Sequence, residues 1–155
     1  MATQTIQAKR ALVLQADEGR VIEDLHVRLL AGEADTAGTL MAATCTNPGP
    51  GGPVLHTHHS QDEYYLVLRG RYRFRIDGTD YEGGPGMFVA APRGTSHTFA
   101  SVGSEEGEVF MVCVPGGFER SLERMAKLPL DGDTRAGLVA LFEEFDTQLD
   151  GPPLV

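Results

Sequence analysis

The chain has no tryptophan, only two cysteines in 155 residues, and no apolar run near the roughly 18 residues that a membrane-spanning helix needs. Each shortage excludes something. Cys45 and Cys113 sit in apolar or small-residue runs, so they are read as buried free thiols, and no disulfide is expected to hold the fold together. No membrane partner is expected. The N-terminal stretch MATQTIQAKRALVLQ lacks the long apolar core of a secretory leader, so a cytoplasmic protein is the simplest expectation. Positive charge is also scarce: 13 Lys and Arg face 22 Asp and Glu, for a net charge of -9. Such an acidic surface argues against nucleic acid and anionic membranes as partners. It leaves a small neutral or metal-bound substrate open.

What is present describes one globular domain. A chain of this length with 41% hydrophobic residues can bury a real core. Glycine is abundant, and short apolar or alternating runs lie between turn signals. Strands are expected over Ala11–Gln15, Leu25–Leu30, Gly38–Thr46, Val54–His58, Glu63–Leu68, Tyr72–Ile76, Met87–Ala90, His97–Ser101 and Glu108–Val114. Each run is too short for a typical helix, and several are rich in Val, Tyr, Phe and Thr. Tyr72–Ile76 reads YRFRI, a strict alternation with one wet face, and Asp77-Gly78 marks a tight hairpin into Tyr81. Many short strands at even spacing predict an all-β sandwich or barrel.

The pattern changes after Pro115. Phe118, Leu122 and Met125 recur at helical spacing, as do Leu138, Leu141, Phe142 and Phe145. Two short amphipathic helices are expected, the second capped by Asp133. Pro129 is expected to end the first, and Gly151-Pro152-Pro153 the second. The chain therefore divides into strands over 1–115 and a helical extension over 116–155, packed on the strands as part of the same domain.

Three of the five histidines fall in HTHHSQDEYY, from His56 to Tyr65. If Val54–His58 is a strand, His56 and His58 point to one face, with Cα atoms about 7 Å apart, and can converge on one ion. Glu63 can join them only if the chain turns or bulges around Ser60-Gln61. His97, at the start of another strand, is the fourth candidate. Two or three imidazoles and one carboxylate suit Fe, Mn, Co, Ni, Cu or Zn better than Ca or Mg. A lone strand histidine is usually structural or solvated, and the residues by themselves leave that reading open. His59 should point away from the ion, Asp62 reads as a loop charge, and His26 stands alone.

These residues resemble the cupin family. Its first motif, G(X)5HXH(X)3-4E(X)6G, is matched by His56, His58, Glu63 and Gly70, and its second, G(X)5PXG(X)2H(X)3N, by Gly86, Pro92, Gly94 and His97. Two positions depart: Pro50 stands where the first motif opens on glycine, and Ser101 where the second closes on asparagine. The resemblance implies a single jelly-roll barrel (a double-stranded β-helix), followed here by the two short C-terminal helices, with a divalent transition metal held inside by His56, His58, Glu63 and His97. Such a barrel would have an apolar lining, for which Met41, Tyr65, Phe74, Met87, Phe99 and Met111 are candidates, and would suit an apolar or aromatic organic molecule.

From about Gly32 onward the order of motifs is similar to the single-domain quercetin-dioxygenase-like cupins. That likeness implies a metal-dependent dioxygenase acting on a flavonol-like enol, with dioxygen as co-substrate and carbon monoxide released. Glu63 would be both metal ligand and catalytic base for the substrate hydroxyl. A metal-dependent isomerase, lyase or cyclase, or a non-catalytic small-molecule-binding module, is the alternative on the same barrel. Cupins commonly pair through sheet edges, so a homodimer is expected.

Overall fold

The computed structural model describes residues 10–128 and 134–154. The YRFRI alternation becomes strand β6 (Tyr72–Ile76), with Tyr72 and Phe74 buried. Arg73 and Arg75 on its other face bind Glu82 and Asp80 of β7 (Thr79–Gly83). Asp77 and Gly78 between them both have positive φ, 45° and 82°. That is the mirror-image turn whose twist suits a two-residue hairpin.

The remaining strands are β1 (Arg20–Ile22), β2 (Val27–Ala31), β3 (Met41–Asn47), β4 (Val54–His58), β5 (Asp62–Arg69), β8 (Phe88–Ala91), β9 (Ser96–Ser101), β10 (Gly107–Val114) and β11 (Thr147–Pro153). They form two antiparallel sheets, ordered β1-β2-β3-β10-β5-β8 and β11-β4-β9-β6-β7. The sheets face each other as a jelly-roll barrel, and their inner faces supply the core. Tyr65, Phe74 and Phe99 meet there with ring centroids 5.4 to 5.7 Å apart. Two glycines allow close approaches that a side chain would block. At Gly70 (φ 82°) a Cβ would come within 2.8 Å of Gly107 Cα. At Gly52 it would lie 1.9 Å from the Phe99 carbonyl oxygen.

The strands at Val54–His58 and Tyr72–Ile76 match expectation residue for residue, and six others agree to within a few residues at their ends. The run Ala11–Gln15 forms no ladder. Leu12 and Leu14 instead border a surface groove beside Leu30 and Thr44. Cys45 and Cys113 are free thiols, the first half-buried and the second buried.

Between β2 and β3 lies the short helix α1 (Glu33–Thr36), and two more helices follow β10: α2 (Glu119–Met125) and α3 (Thr134–Glu144). Phe118, Leu122, Leu141 and Phe142 are buried, as their spacing requires. Glu119, 6% exposed, ties α2 to α1: its carboxylate accepts from the Glu33 N–H at 2.6 Å and the Gly117 N–H at 2.9 Å. No helix among the described residues is long and apolar enough to cross a membrane. The expected cap Asp133 and stop Pro129 lie outside the described residues.

The chain's last segment departs from expectation. Gly151-Pro152-Pro153 does not end the second helix, because α3 stops at Glu144 and these residues belong to β11. A strand containing two prolines is tolerated because β11 is a sheet edge, where a missing N–H costs no ladder bond. Its pairing with β4 shifts register at Leu149/Gly151 and again at Gly151/Pro153, as bulges allow.

Asp150 of β11 fastens this edge. Its carboxylate accepts from the Thr57 hydroxyl at 2.5 Å, the Ser96 hydroxyl at 2.7 Å and Gln148 Nε2 at 2.8 Å. Thr57 and Ser96 are register partners on β4 and β9, so one carboxylate clamps three strands. Asp150→Ala is expected to cost about 2 kcal/mol of unfolding free energy at neutral pH, read by urea denaturation, because hydrogen bonds to a charged acceptor are lost. Burial alone would raise the Asp150 carboxyl, but the hydrogen bonds from Thr57, Ser96 and Gln148 prevail and hold it below the usual carboxylate range. Its contribution is therefore present above the unfolded value near 3.9 and lost as pH falls through the lower folded value. The stability gap between native and Asp150→Asn proteins should close on that descent; a constant gap at all pH values would contradict the clamp.

Candidate metal centre

The four expected ligands come from three strands in two sheets. β4 carries His56 and His58 on its inner face, and β9 places His97 directly opposite His56. After His58 the chain bends through His59, Ser60 and Gln61 and enters β5 in the other sheet. This is the turn that the odd spacing demands, and it swings Glu63 back to face the histidines across the barrel. All four side chains are buried, with exposures from 1% for His58 and His97 to 7% for His56. One ligand atom from each lies within 4.8 Å of the other three.

The geometry could accommodate a cation. Glu63 Oε2 is 3.0 Å from both His58 Nε2 and His97 Nε2 and 4.0 Å from His56 Nε2. His56 Nδ1 lies 2.7 Å from the Val54 carbonyl oxygen and His97 Nδ1 2.9 Å from that of Thr95. A carbonyl only accepts, so both Nδ1 atoms carry protons; the Nε2 of His56 turns a lone pair inward, while His97 Nε2 lies within hydrogen-bond distance of the Glu63 carboxylate. His58 Nδ1 is 3.1 Å from the Thr147 hydroxyl oxygen, and its buried Nε2 has no aligned hydrogen-bond partner. Ligand atoms about 2.0–2.2 Å from a shared ion sit at most about 4.4 Å apart, so small side-chain rotations would bring this set around one ion. Three imidazoles and one carboxylate can hold a divalent metal.

The electrostatics divide the set: burial would lower the pKa of His97, but its hydrogen bond to the Glu63 carboxylate prevails and raises it. Burial, reinforced by neighbouring His97 and His58, pulls the pKa of His56 down to about 3, so it is neutral and free to ligate. Burial would raise the Glu63 carboxyl, but the imidazoles of His58 and His97 prevail and keep it ionised well below the usual range. Burial, then the charge of Glu63, pushes both the Tyr65 hydroxyl and the Cys113 thiol well above their usual values. Both therefore stay protonated beside the carboxylate.

A cavity of about 500 Å³ opens onto this cluster, with His56 and Glu63 in its wall. Tyr65, Phe99 and Met111 line it. Met41 and Phe74, at 0% and 1% exposure, are packed in the core outside that wall, and Met87 packs at the edge of the core against Gly83. Sequence reasoning missed most of the wall. Leu25, Val27 and Cys45 contribute to it, and so do Phe118, Leu122, Met125, Leu138 and Phe142 of the helical segment. Phe118 meets the His58 ring edge-on at 4.7 Å, and Phe142 stands 6.0 Å from His56. Their helical periodicity signalled burial but could not name the surface they cover. His59 is exposed, Asp62 is bound to Arg93, and His26 is an exposed turn residue at φ 53°; none joins the cluster.

His56→Ala or His58→Ala is expected to leave less than about a tenth of the native metal content at equal metal supply, with far-UV circular dichroism unchanged. Elemental analysis of the purified variants checks this, and native metal content in both would locate the ion elsewhere.

A family model described as Cupin domain matches residues 44–113. Among curated proteins, the quercetin 2,3-dioxygenase of Bacillus subtilis (strain 168) is 30% identical over 110 residues, which cover 69% of this chain and 32% of that enzyme. The chain thus spans about a third of the length of that curated relative. Among solved structures, a predicted oxalate decarboxylase from Thermotoga maritima superposes with a TM-score of 0.56 at 22% identity, over 57% of this chain and 78% of that one. A cupin protein from Bacteroides fragilis gives 0.54 at 17% identity, over 72% and 88%. At such identities these two structures speak for the fold alone. The domain match, however, falls on the strands that carry all four converging side chains, inside a barrel of the same form, and on that ground the chain belongs to the cupin superfamily.

Proposed function

We propose that this cupin is a metal-dependent oxidoreductase, a dioxygenase acting on a small aromatic or enol substrate of the flavonol kind. The observation that carries the reading is the junction of two environments. A cavity of about 500 Å³ with mostly apolar walls ends on His56 and Glu63. That volume falls within the roughly 300–1,000 Å³ typical of organic-ligand sites. An apolar ring system can fill the cavity while its one ionisable hydroxyl reaches the four-ligand cluster. The likeness to quercetin 2,3-dioxygenase supports the same substrate class.

The residues divide the work. His56, His58, His97 and Glu63 would hold Fe, Mn, Co, Ni, Cu or Zn. The bound ion would supply Lewis acidity, lowering the pKa of a substrate hydroxyl and orienting the reactants. Glu63, ionised and buried, can accept the proton from that hydroxyl. Tyr65 and Cys113, both protonated, adjoin the carboxylate and can donate hydrogen bonds to it. Phe99, Met111, Phe118 and Phe142 present the apolar surface that holds the rings. The acidic chain is a cytoplasmic protein in this reading, and it pairs as a homodimer. The half of the six-stranded sheet's outer face around the β8 edge favours pairing, since Phe88 is 63% exposed and stacks on Tyr64. Sedimentation velocity should accordingly return a particle of two chains, and a monomer at micromolar concentration would remove the pairing.

Glu63→Gln tests the base. Glutamine keeps the shape and a neutral oxygen but cannot take the proton. Compared at equal metal content, the variant should bind a flavonol like the native protein, while its dioxygen uptake falls by roughly 10²–10⁴-fold. Uptake within about twofold of native would exclude the role, since so small a factor is well under 1 kcal/mol of barrier. Flavonol binding by the native protein without any dioxygen uptake would favour an isomerase, lyase, cyclase or non-catalytic binding module.

A further inference from the structure

Two of the three histidines in the cluster are oriented by their own strands. His56 and His97 each donate Nδ1–H to the carbonyl two residues earlier, Val54 and Thr95. His58 is held differently. Its Nδ1 faces the hydroxyl of Thr147, 3.1 Å away, on a strand that joins the sheet 89 residues later in the chain. Thr147 opens β11 as the direct register partner of His58, and it is 3% exposed.

The direction of the hydrogen bonds follows from the next partner. Thr147 Oγ1 is also 3.1 Å from the Phe145 carbonyl oxygen. That oxygen can only accept, so the threonine proton goes to it. The hydroxyl's lone pair is left facing His58, and Nδ1 must bring the proton. The carbonyl is itself fixed by a pinned turn. Asp146, at φ 51°, reverses the chain between α3 and β11. The turn is fastened by the His59 N–H donating to the Asp146 carbonyl at 2.9 Å and by a bond from the Ser60 hydroxyl to the Asp146 carboxylate. The relay from Phe145 through Thr147 to His58 thus has one polarity.

That polarity matters because His58 has a competing state. With the proton on Nε2, that N–H would point toward Glu63 Oε2, 3.0 Å away, and no lone pair would be left for an ion. With the proton on Nδ1, Nε2 keeps its lone pair for an ion. We propose that Thr147 is a positioning residue for metal binding, which holds His58 in the ligating tautomer and so sets the affinity of the site from outside the segment matched by the cupin family model, residues 44–113.

The test is competition with a chelator for Co(II) and for Zn(II), using native protein, Thr147→Val and Thr147→Ser. Valine keeps the volume and removes the acceptor; serine keeps the acceptor. Thr147→Val should weaken binding of both ions by roughly 10–100-fold, the usual effect of losing a partner of a ligating histidine, while Thr147→Ser stays within about threefold of native. Melting temperatures of the metal-free proteins show whether valine has damaged the fold. If it has, nitrogen-15 spectra of the histidine rings in native metal-free protein decide instead: a proton on Nδ1 of His58 supports the proposal, and a proton on Nε2 overturns it. Native affinity in Thr147→Val, or an equal loss in Thr147→Ser, would also overturn it.

Discussion

A buried carboxylate facing three buried imidazoles is the constraint around which the barrel is arranged. Glu63 is 2% exposed, and no lysine or arginine among the described residues pairs with its charge. An isolated charge in such surroundings would cost several kcal/mol. The chain meets that cost by setting His97 Nε2 within hydrogen-bond distance of the carboxylate and by keeping the neighbouring hydroxyl and thiol protonated. A divalent ion ligated by all four groups would satisfy the same charge more fully. Ligation would call for neutral, correctly turned imidazoles, which the carbonyls behind His56 and His97 and the hydroxyl behind His58 would favour.

The arrangement depends on register. His56 opposes His97 directly, and the next pair along the same two strands is Thr57 with Ser96, pointing outward. A slip of one residue would turn the histidines out of the barrel and the hydroxyls in. Asp150 receives both hydroxyls, so it fastens the register immediately behind the ion site. Thr147 and Asp150 both belong to β11, and a strand at the edge of the sheet therefore supports the chemistry at its centre from two directions.

The local parts of this design were legible in the sequence. The alternation in VLHTH and YRFRI, the Asp77-Gly78 hairpin and the turn required before Glu63 all follow from period-two geometry and turn chemistry within about ten residues. Non-local pairing was not legible. Thr147-Gln148-Leu149-Asp150-Gly151-Pro152-Pro153 has the composition of a helix terminator and loop, and only its partner β4, with the edge position, makes it a strand. Ala11–Gln15 fails in the opposite sense: it has strand composition and finds no ladder. The pocket was half legible. Inward-facing residues are easily named, but a barrel interior is partly solid core. Met41 and Phe74 fill the solid part, while Tyr65, Phe99 and Met111 face the open part. Which is which depends on where α2 and α3 come to rest.

That division also separates what relatives can share from what they need not. The segment matched by the family model, residues 44–113, contains all four ligands, so proteins alike over that segment can hold the same kind of ion. The cavity wall is drawn from a wider range. Leu25 and Val27 precede the segment, and Phe118, Leu122, Met125, Leu138 and Phe142 follow it. These side chains shape the length, width and apolar character of the cavity beside the cluster, and Phe118 and Phe142 also pack on His58 and His56. One barrel form can serve different reactions, and here the helical wall shapes the space beside the four-residue cluster. In this chain the part of the wall drawn from the helices is aromatic and aliphatic, and the charged, imidazole and amide side chains of the wall are Asp24, Asn47, His56 and Glu63.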